Sequence, residues 1–329
     1  MRSIWVWALL YFLFYIPYGA LSKAISAGAL PGQAGPVPGP ALLPASALAS
    51  FGVMVAFLAG TGWWRRAHRV RVAGHGLPAP TWATFASGAC TAVILATATL
   101  AYTFEGVSIV LVMLLMRGGV LAMAPVVDLW SRRRPRPAAW VGLGLSALAV
   151  LVAVGDPRAV GAVHLSGAAV LNIAVYLAAY AVRLRVMSRE AKSGDDTATV
   201  RYFVEEQLVV APLTLVMLVA FAAIGHGEMM QAVRAGFGLL GEPGLAGPLL
   251  AVGVFSQLVG IFGTLIFLDP RENTFSVSVN RASSVLSGVV ATAALWGLLG
   301  MEAPRGPELA GAGLVTLAIG VLGWQARRR

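Results

Sequence analysis

The sequence predicts an all-α integral membrane protein in which ten transmembrane helices form two inverted five-helix repeats. Three observations support this fold class: ten apolar segments, loops whose positive charge alternates along the chain, and similarity between the two halves. Hydrophobic residues make up 58% of the 329 residues and charged residues only 12%, whereas about 25% of a soluble domain is charged. An ordinary soluble domain is therefore excluded, and the net charge of +10 is assigned to the loops rather than to a nucleic-acid interface.

Ten apolar segments are each close to the length that a bilayer requires. A helix rises 1.5 Å per residue, so about 20 apolar residues cross about 30 Å of hydrocarbon. The first segment is too long for the core of a signal peptide and is kept as a span. The predicted spans cover residues 4–22, 41–62, 82–104, 106–129, 138–155, 164–184, 205–224, 245–268, 274–299 and 308–325. A short amphipathic run from Met229 to Phe237 is expected to lie on the membrane surface.

The charge of the loops predicts the orientation of the chain. If the N-terminus is cytoplasmic, 18 of the 24 Lys and Arg residues fall on the cytoplasmic side, Arg183 among them, and four fall on the other side. Basic loops are retained in the cytoplasm during insertion. We therefore expect a protein of a bacterial-type inner membrane with both termini cytoplasmic. Tryptophans cluster at the same span ends, as expected for side chains that prefer the head-group layer.

The two halves of the chain, residues 1–160 and 161–329, have similar patterns. The first span carries Phe14, Tyr18 and Lys23, and the sixth carries Tyr176, Tyr180 and Arg185 at the same spacing. The fourth and ninth spans each contain one arginine, Arg117 and Arg281. An odd number of spans per half inverts the second copy relative to the first, which is the arrangement of many secondary transporters.

Together with these features, the segment LWGLLGMEAPRGPELAGAGLVTLAIGVLG at 295–323 resembles the repeat ending of the EamA-like branch of the drug/metabolite transporter superfamily. Glu302 occupies the glutamate position of that ending, offset by one residue. The first half is similar around Pro125 and residues 140–155, although the arginine-rich SRRRPRP replaces the acidic turn. The resemblance implies a ten-helix transporter and favours export.

Polar stripes at helical spacing predict which spans surround a cavity. A span facing lipid is apolar all round, whereas a span lining a cavity carries polar residues on one face. Spans five and ten carry almost none and are predicted to be peripheral. Small polar residues at this spacing also serve helix packing, which remains the alternative for the Ser, Thr and Gly stripes. The predicted substrate site comprises Arg117, Arg281, Tyr15, Tyr18, Tyr176, Tyr180, Asn172, Asn280, Gln257, Met116 and Ser284.

Arg117 and Arg281 are the strongest functional candidates. A buried guanidinium needs an anion or several hydrogen-bond acceptors, since its charge costs at least about 2.5–3.5 kcal/mol at mid-membrane. No Asp or Glu is predicted at mid-span, because Glu105, Asp128, Glu205, Glu206 and Asp269 are all assigned to span ends. The missing counter-ion is therefore interpreted as an anionic substrate. The alternative is that helix carbonyls or tyrosine and asparagine oxygens hold the arginine.

These patterns favour a secondary transporter of a small metabolite, and the two arginines favour an anionic one. A flippase for lipids or lipid head groups is the alternative, and a non-transporting scaffold or an intramembrane enzyme is less favoured. The sequence lacks a phosphate-binding GxxxxGK[ST] loop, and the glycine pattern at 142–147 lies inside a span, where it serves packing. Neither an enzyme nor a metal site or other cofactor is expected. The expected partners are a small-molecule substrate and membrane lipids but not nucleic acid, and the sequence leaves the oligomeric state open.

Overall fold

The computed structural model of the chain consists mainly of helices at the predicted apolar segments. The structure describes residues 3–72, 75–100, 109–154, 167–193, 195–242, 244–304 and 306–327. Its long helices begin and end as follows: α1 Ile4–Ala27, α2 Leu43–Thr61, α3 Trp82–Leu100, α4 Ile109–Trp130, α5 Pro137–Val154, α6 Gly167–Glu190, α7 Asp196–Ile224, α8 Gly227–Gly238, α9 Ala246–Phe267, α10 Asn273–Leu299 and α11 Gly306–Arg327.

Six helices in the described part of the chain are long and apolar enough to cross a membrane. They are α1, α2 with its preceding turn, α6, α7, α9 and α10. The described apolar parts of α3, α5 and α11 are shorter. Large apolar side chains such as Leu151 and Leu171 remain 57% and 65% exposed, which suits contact with lipid rather than water. The coarse prediction of an all-α membrane protein agrees with these findings.

Helix α7 begins nine residues before the predicted span 205–224. The carboxylate of Asp195 accepts hydrogen bonds from the backbone N–H groups of Thr197 at 2.8 Å and Ala198 at 3.3 Å, so the helix starts there. Glu205 and Glu206 therefore lie inside a helix that begins before the predicted span, and both are 0% exposed. Glu105 lies outside the described residues.

A small β-hairpin occupies the loop between α2 and α3, where the sequence predicts only a basic loop. Strands β1 (Arg69–Val72) and β2 (His75–Pro78) pair antiparallel, with Val70 opposite Leu77. The carboxylate of Glu205 accepts hydrogen bonds from the backbone N–H groups of His68 at 3.0 Å and Thr81 at 3.3 Å. One buried side chain of α7 thus binds both ends of the hairpin.

The predicted amphipathic run corresponds to α8, which packs on α7 and on a short 3₁₀ turn before α2 (Gly39–Leu42). Met229 and Val233 are buried against Leu218 of α7. At Gly236 the backbone of Ala41 lies so close that a side chain would collide with it. The apolar face of this helix is thus covered by protein.

The helices pack in pairs that relate the first half of the chain to the second. Helix α1 packs on α9 and α10, and α6 packs on α3 and α4. Helix α2 packs on α9, and α7 packs on α3. Helices α5 and α11 pack extensively on each other and contact α10. Large apolar side chains of α5 and α11, among them Leu148 and Leu317, are exposed.

One end of the bundle, which we call the arginine-rich end, carries the described parts of four connections between helices. These parts are residues 62–72 with 75–81, 131–136, 191–193 with 195, and 268–272. There the guanidinium of Arg133 donates to the carbonyls of Pro270 at 2.9 Å and Lys192 at 2.7 Å. The carboxylate of Asp128 accepts from the backbone N–H groups of Asn273 and Thr274, both at 2.7 Å, and so caps α10. These contacts join α4, α6 and α10 at this end.

Lys192 is buried within these connections. Its ammonium donates to the carbonyl of Arg271 and to the hydroxyl of Ser276, both at 3.1 Å. Burial lowers the pKa of Lys192 to about 7 despite the neighbouring carboxylates of Asp128, Asp269 and Glu272, while Arg133 lowers it further. The charged form of this lysine is therefore disfavoured by the folded protein.

Candidate functional site

A ladder of tyrosines lies along one face of α1. Tyr11, Tyr15 and Tyr18 are spaced four and three residues apart, which places them on the same side of a helix. Their ring centroids are 5.4 Å and 5.6 Å apart. Tyr11 is buried, whereas Tyr15 and Tyr18 are half-buried. The first half of the chain thus presents an aromatic surface whose hydroxyl groups can bind a polar ligand.

A second pair of tyrosines, on α6, contacts Arg281 of α10. The rings of Tyr176 and Tyr180 are 4.9 Å apart, and both side chains are buried. The guanidinium of Arg281 donates from Nη2 to the hydroxyl of Tyr180 at 3.3 Å and lies 5.7 Å from the centroid of that ring. Two helices that are distant in sequence therefore bring an arginine and an aromatic pair together.

The guanidinium of Arg281 is only partly satisfied by the described residues. Its Nε is buried and has no hydrogen-bond partner, and none of the ion pairs formed by described residues involves it. Electrostatic interactions link it to Tyr11 and Tyr176 in addition to Tyr180. The described groups that interact with this cation are the hydroxyls and rings of tyrosines.

Arg117 of α4 is half-buried and lies close enough to Tyr11 and Tyr176 to interact with both electrostatically. Arg281 interacts with the same two tyrosines. The structure therefore brings the two predicted arginines to one aromatic cluster, built from α1, α4, α6 and α10. The neighbouring Met116 is 1% exposed and packs in the apolar core with Val120 and Leu121.

The remaining predicted site residues are Asn172, Ser284, Asn280 and Gln257. The amide of Asn172 donates to the carbonyl of Thr97 at 2.9 Å, so it joins α6 to α3. The hydroxyl of Ser284 donates to the carbonyl of Arg281 in its own helix at 2.8 Å. Asn280 is buried near Tyr11, and Gln257 is half-buried on α9. Asn172 thus bonds to a neighbouring helix and Ser284 within its own helix, whereas Asn280 adjoins the aromatic cluster.

Gly263 of α9 belongs to the site but is absent from the sequence-based prediction. A Cβ at this position would lie 3.0 Å from Cε2 of Tyr11 and 3.4 Å from Nδ2 of Asn280. Because Gly263 has no side chain, Tyr11 of α1 and Asn280 of α10 can both lie close to the backbone of α9. Only the three-dimensional packing distinguishes this glycine from the other glycines of α9.

Arg183 and Glu206 form a buried ion pair that the sequence analysis missed. Nε and Nη2 of Arg183 donate to the two carboxylate oxygens of Glu206 at 2.9 Å and 3.1 Å. Ser87 donates to the same carboxylate at 2.7 Å, and the hydroxyl of Tyr202 does so at 3.3 Å. Arg183 was counted as a loop charge, but it is 5% exposed. A buried charge requires such a partner. Glu206 is that partner, and it belongs to the interior of α7 because this helix begins as early as Asp196.

Comparisons with known proteins support the fold but give no activity. A solved structure described as "Crystal structure of protein" matches over 100% of this chain and 99% of its own, with a TM-score of 0.60 and 18% sequence identity. No family model matches the chain. No curated protein matches it either. The chain therefore shares its fold with a protein of known structure.

Proposed function

We propose that this protein is a secondary transporter that moves a small anionic metabolite by alternating access between two inverted five-helix halves. The observation that carries the proposal is the difference between two interior arginines. Arg183 has a bidentate carboxylate partner, whereas the interactions that the described residues give the guanidinium of Arg281 are with tyrosines, and its one hydrogen bond among them is to the hydroxyl of Tyr180. A carboxylate or phosphate of the ligand would accept hydrogen bonds from the guanidinium of Arg281 in the way that Glu206 accepts them from Arg183.

The helix contacts support the inverted-repeat part of the proposal. Exchanging α1 with α6, α2 with α7, α3 with α9 and α4 with α10 converts the contact of α1 and α9 into that of α6 and α3. The same exchange relates α2–α9 to α7–α3 and α1–α10 to α6–α4. Transporters with inverted repeats bind their substrate near the interface of the halves, and the aromatic cluster takes α1 and α4 from one half and α6 and α10 from the other.

The charge pattern supports the remaining details of the proposal. The ten spans, the cytoplasmic termini and the bacterial-type inner membrane follow from the apolar segments and basic loops described above. The resemblance to EamA-like transporters favours export as the direction.

A thermal-shift screen of the purified protein tests the proposed substrate class. The panel comprises carboxylates, sugar phosphates, nucleosides, neutral sugars, amino acids and water-soluble lipid head groups. We expect an anionic compound to raise the melting temperature, and Arg281→Gln to weaken its binding about 10- to 100-fold, because a charge-assisted hydrogen bond contributes about 1.5–3 kcal/mol. Arg281→Lys keeps the charge but not the planar donor pair and should lie between the two.

The matched control is Ser284→Ala, one turn from Arg281, since the Ser284 hydroxyl bonds within its own helix. Its ligand affinity should remain close to that of the wild type. An Arg281→Gln variant that aggregates while Arg281→Lys binds anions normally would identify the arginine as structural and contradict the proposal. Stabilisation by phospholipid head groups alone would favour the flippase instead.

A further inference from the structure

The hairpin between α2 and α3 carries positive charge without negative charge nearby. Arg65, Arg66, Arg69 and Arg71 are all exposed, and the first acidic residue of the chain is Glu105. None of the four takes part in an ion pair of the described residues. Glu205 is fully buried and is occupied by His68, Thr81 and Thr84. The exposed side of the hairpin therefore presents uncompensated cations.

The two faces of the hairpin differ in polarity. Successive side chains of a strand point to opposite faces, so Arg69 and Arg71 share one face and Val70 lies on the other. Val70 pairs with Leu77, and the two side chains are 45% and 51% exposed. A two-stranded hairpin is marginally stable by itself in water. Contact of the apolar face with an apolar surface, and of the cationic face with anions, would therefore stabilise this amphipathic hairpin.

Aromatic side chains surround the hairpin at the level of the helix ends. Trp64 precedes it, and the guanidinium groups of Arg65 and Arg69 lie 5.6 Å and 5.4 Å from its ring centroid. Trp82, at the start of α3, is 82% exposed and stacks on Phe85 at 5.7 Å. Exposed tryptophans at the ends of apolar helices are typical of the head-group layer of a bilayer. They place the hairpin at that layer.

We propose that this hairpin surface, formed by Arg65, Arg66, Arg69 and Arg71 with Val70 and Leu77, binds the head groups of anionic phospholipids. Val70 and Leu77 enter the boundary between head groups and acyl chains. The arginines on the opposite face then lie at the level of the phosphates, which is the arrangement of interfacial amphipathic elements. Glu205 fixes the depth, because it holds His68 and Thr81 on the two sides of the hairpin. The proposal is independent of what the protein transports.

Lipid binding by the purified full-length protein tests the charge requirement. The protein in neutral detergent is titrated with phosphatidylglycerol or phosphatidylcholine, and bound lipid is measured by native mass spectrometry. Each arginine at a membrane surface contributes roughly fivefold in affinity. The variant Arg69→Gln/Arg71→Gln should therefore bind phosphatidylglycerol about 10- to 30-fold more weakly and leave phosphatidylcholine binding unchanged.

The control Arg132→Gln/Arg134→Gln removes the same charge from two exposed arginines of another loop and should weaken phosphatidylglycerol binding much less than the hairpin variant does. Equal losses in the two double variants would show a general effect of charge and overturn the proposal. Displacement of phosphatidylglycerol by a soluble acidic peptide at equal affinity would assign the surface to a protein partner and overturn it as well.

A fluorescent probe tests the position of the apolar face. In a Cys90→Ala background, cysteine replaces Leu77 or, as a control, the exposed Ser193, and is labelled with an environment-sensitive dye. In nanodiscs that contain phosphatidylglycerol, the probe at 77 should emit at a shorter wavelength than the probe at 193. Water-like emission at both positions would place the hairpin outside the head-group layer and contradict the proposal.

Discussion

Two residues on neighbouring helices, Arg183 and Arg281, show how the surroundings of a charge decide its role. Nε and Nη2 of Arg183 donate to the two carboxylate oxygens of Glu206, and Nη2 also donates to the hydroxyl of Thr264 at 3.2 Å. These donors therefore stabilise the fold. The Nε of Arg281 has no partner among the described residues, and it is the donor that the proposed anionic ligand would occupy. The sequence predicts that Arg281 is buried, but the partner of Arg183 depends on where α7 begins.

The ion pair gives a residue-scale prediction about stability. Arg183→Gln should lower the free energy of unfolding by about 3–5 kcal/mol, because it leaves the carboxylate of Glu206 buried without a counter-charge. The double variant Arg183→Gln/Glu206→Gln should be more stable than this single variant, since neither residue is then charged. Thermal unfolding in detergent measures both effects. A double variant as unstable as the sum of the two single variants would show that the charges do not interact.

At the scale of elements, the helices that the sequence predicts best are those defined by apolar length alone. The bounds of α5 and α9 differ from the predicted spans by one residue at each end. The start of α7 and the hairpin escape prediction because their signals are polar. Asp195 begins α7 through a local side-chain cap, and the strands are stabilised by Glu205, which is distant in sequence. Apolar periodicity contains neither kind of information.

The connections at the arginine-rich end give a prediction about pH. The pKa of Lys192 is about 7 in the folded protein, whereas an unfolded lysine titrates near 10.4. Between these values the unfolded chain binds more protons, so raising the pH from 7 towards 10 should increase stability by up to about 1.4 kcal/mol per pH unit. Lys192→Met should remove this increase.

The control is Lys23→Met, because Lys23 is exposed at the start of the chain, on α1. It should unfold with the same pH dependence as the wild type. Melting temperatures in detergent between pH 7 and pH 10 measure the slope. An unchanged slope in Lys192→Met would mean that Lys192 remains charged in the folded protein and would contradict the assignment.

At the scale of the whole molecule, two features describe the bundle: the end at which the basic loops lie and the helices that contact each other. The described residues of the three basic loops after α2, α4 and α6 lie at the arginine-rich end, and α8 lies with residues 39–42. The sequence predicts this sidedness because translocation leaves basic loops behind. It does not predict which helices touch, since the contacts of α1 with α9 and of α6 with α3 join segments that are distant along the chain.

Cysteine labelling in intact cells tests the orientation of the molecule. In the Cys90→Ala background, a membrane-impermeant reagent should reach cysteines at Glu228 or Ala303 from outside, but not at His68 or Ser193. All four positions are exposed on the protein, so access depends only on the side of the membrane. Labelling in the opposite sense would reverse the orientation and place the hairpin against the outer leaflet.

Glu205 and Glu206 are consecutive residues of one helical turn, yet they bind different parts of the protein. Glu205 holds the backbone at the base of the hairpin, and Glu206 holds Arg183 in the interior. The base of the hairpin and the interior ion pair thus share one turn of α7. If the hairpin binds head groups as proposed, the lipid composition has to be held constant when variants of the reconstituted protein are compared.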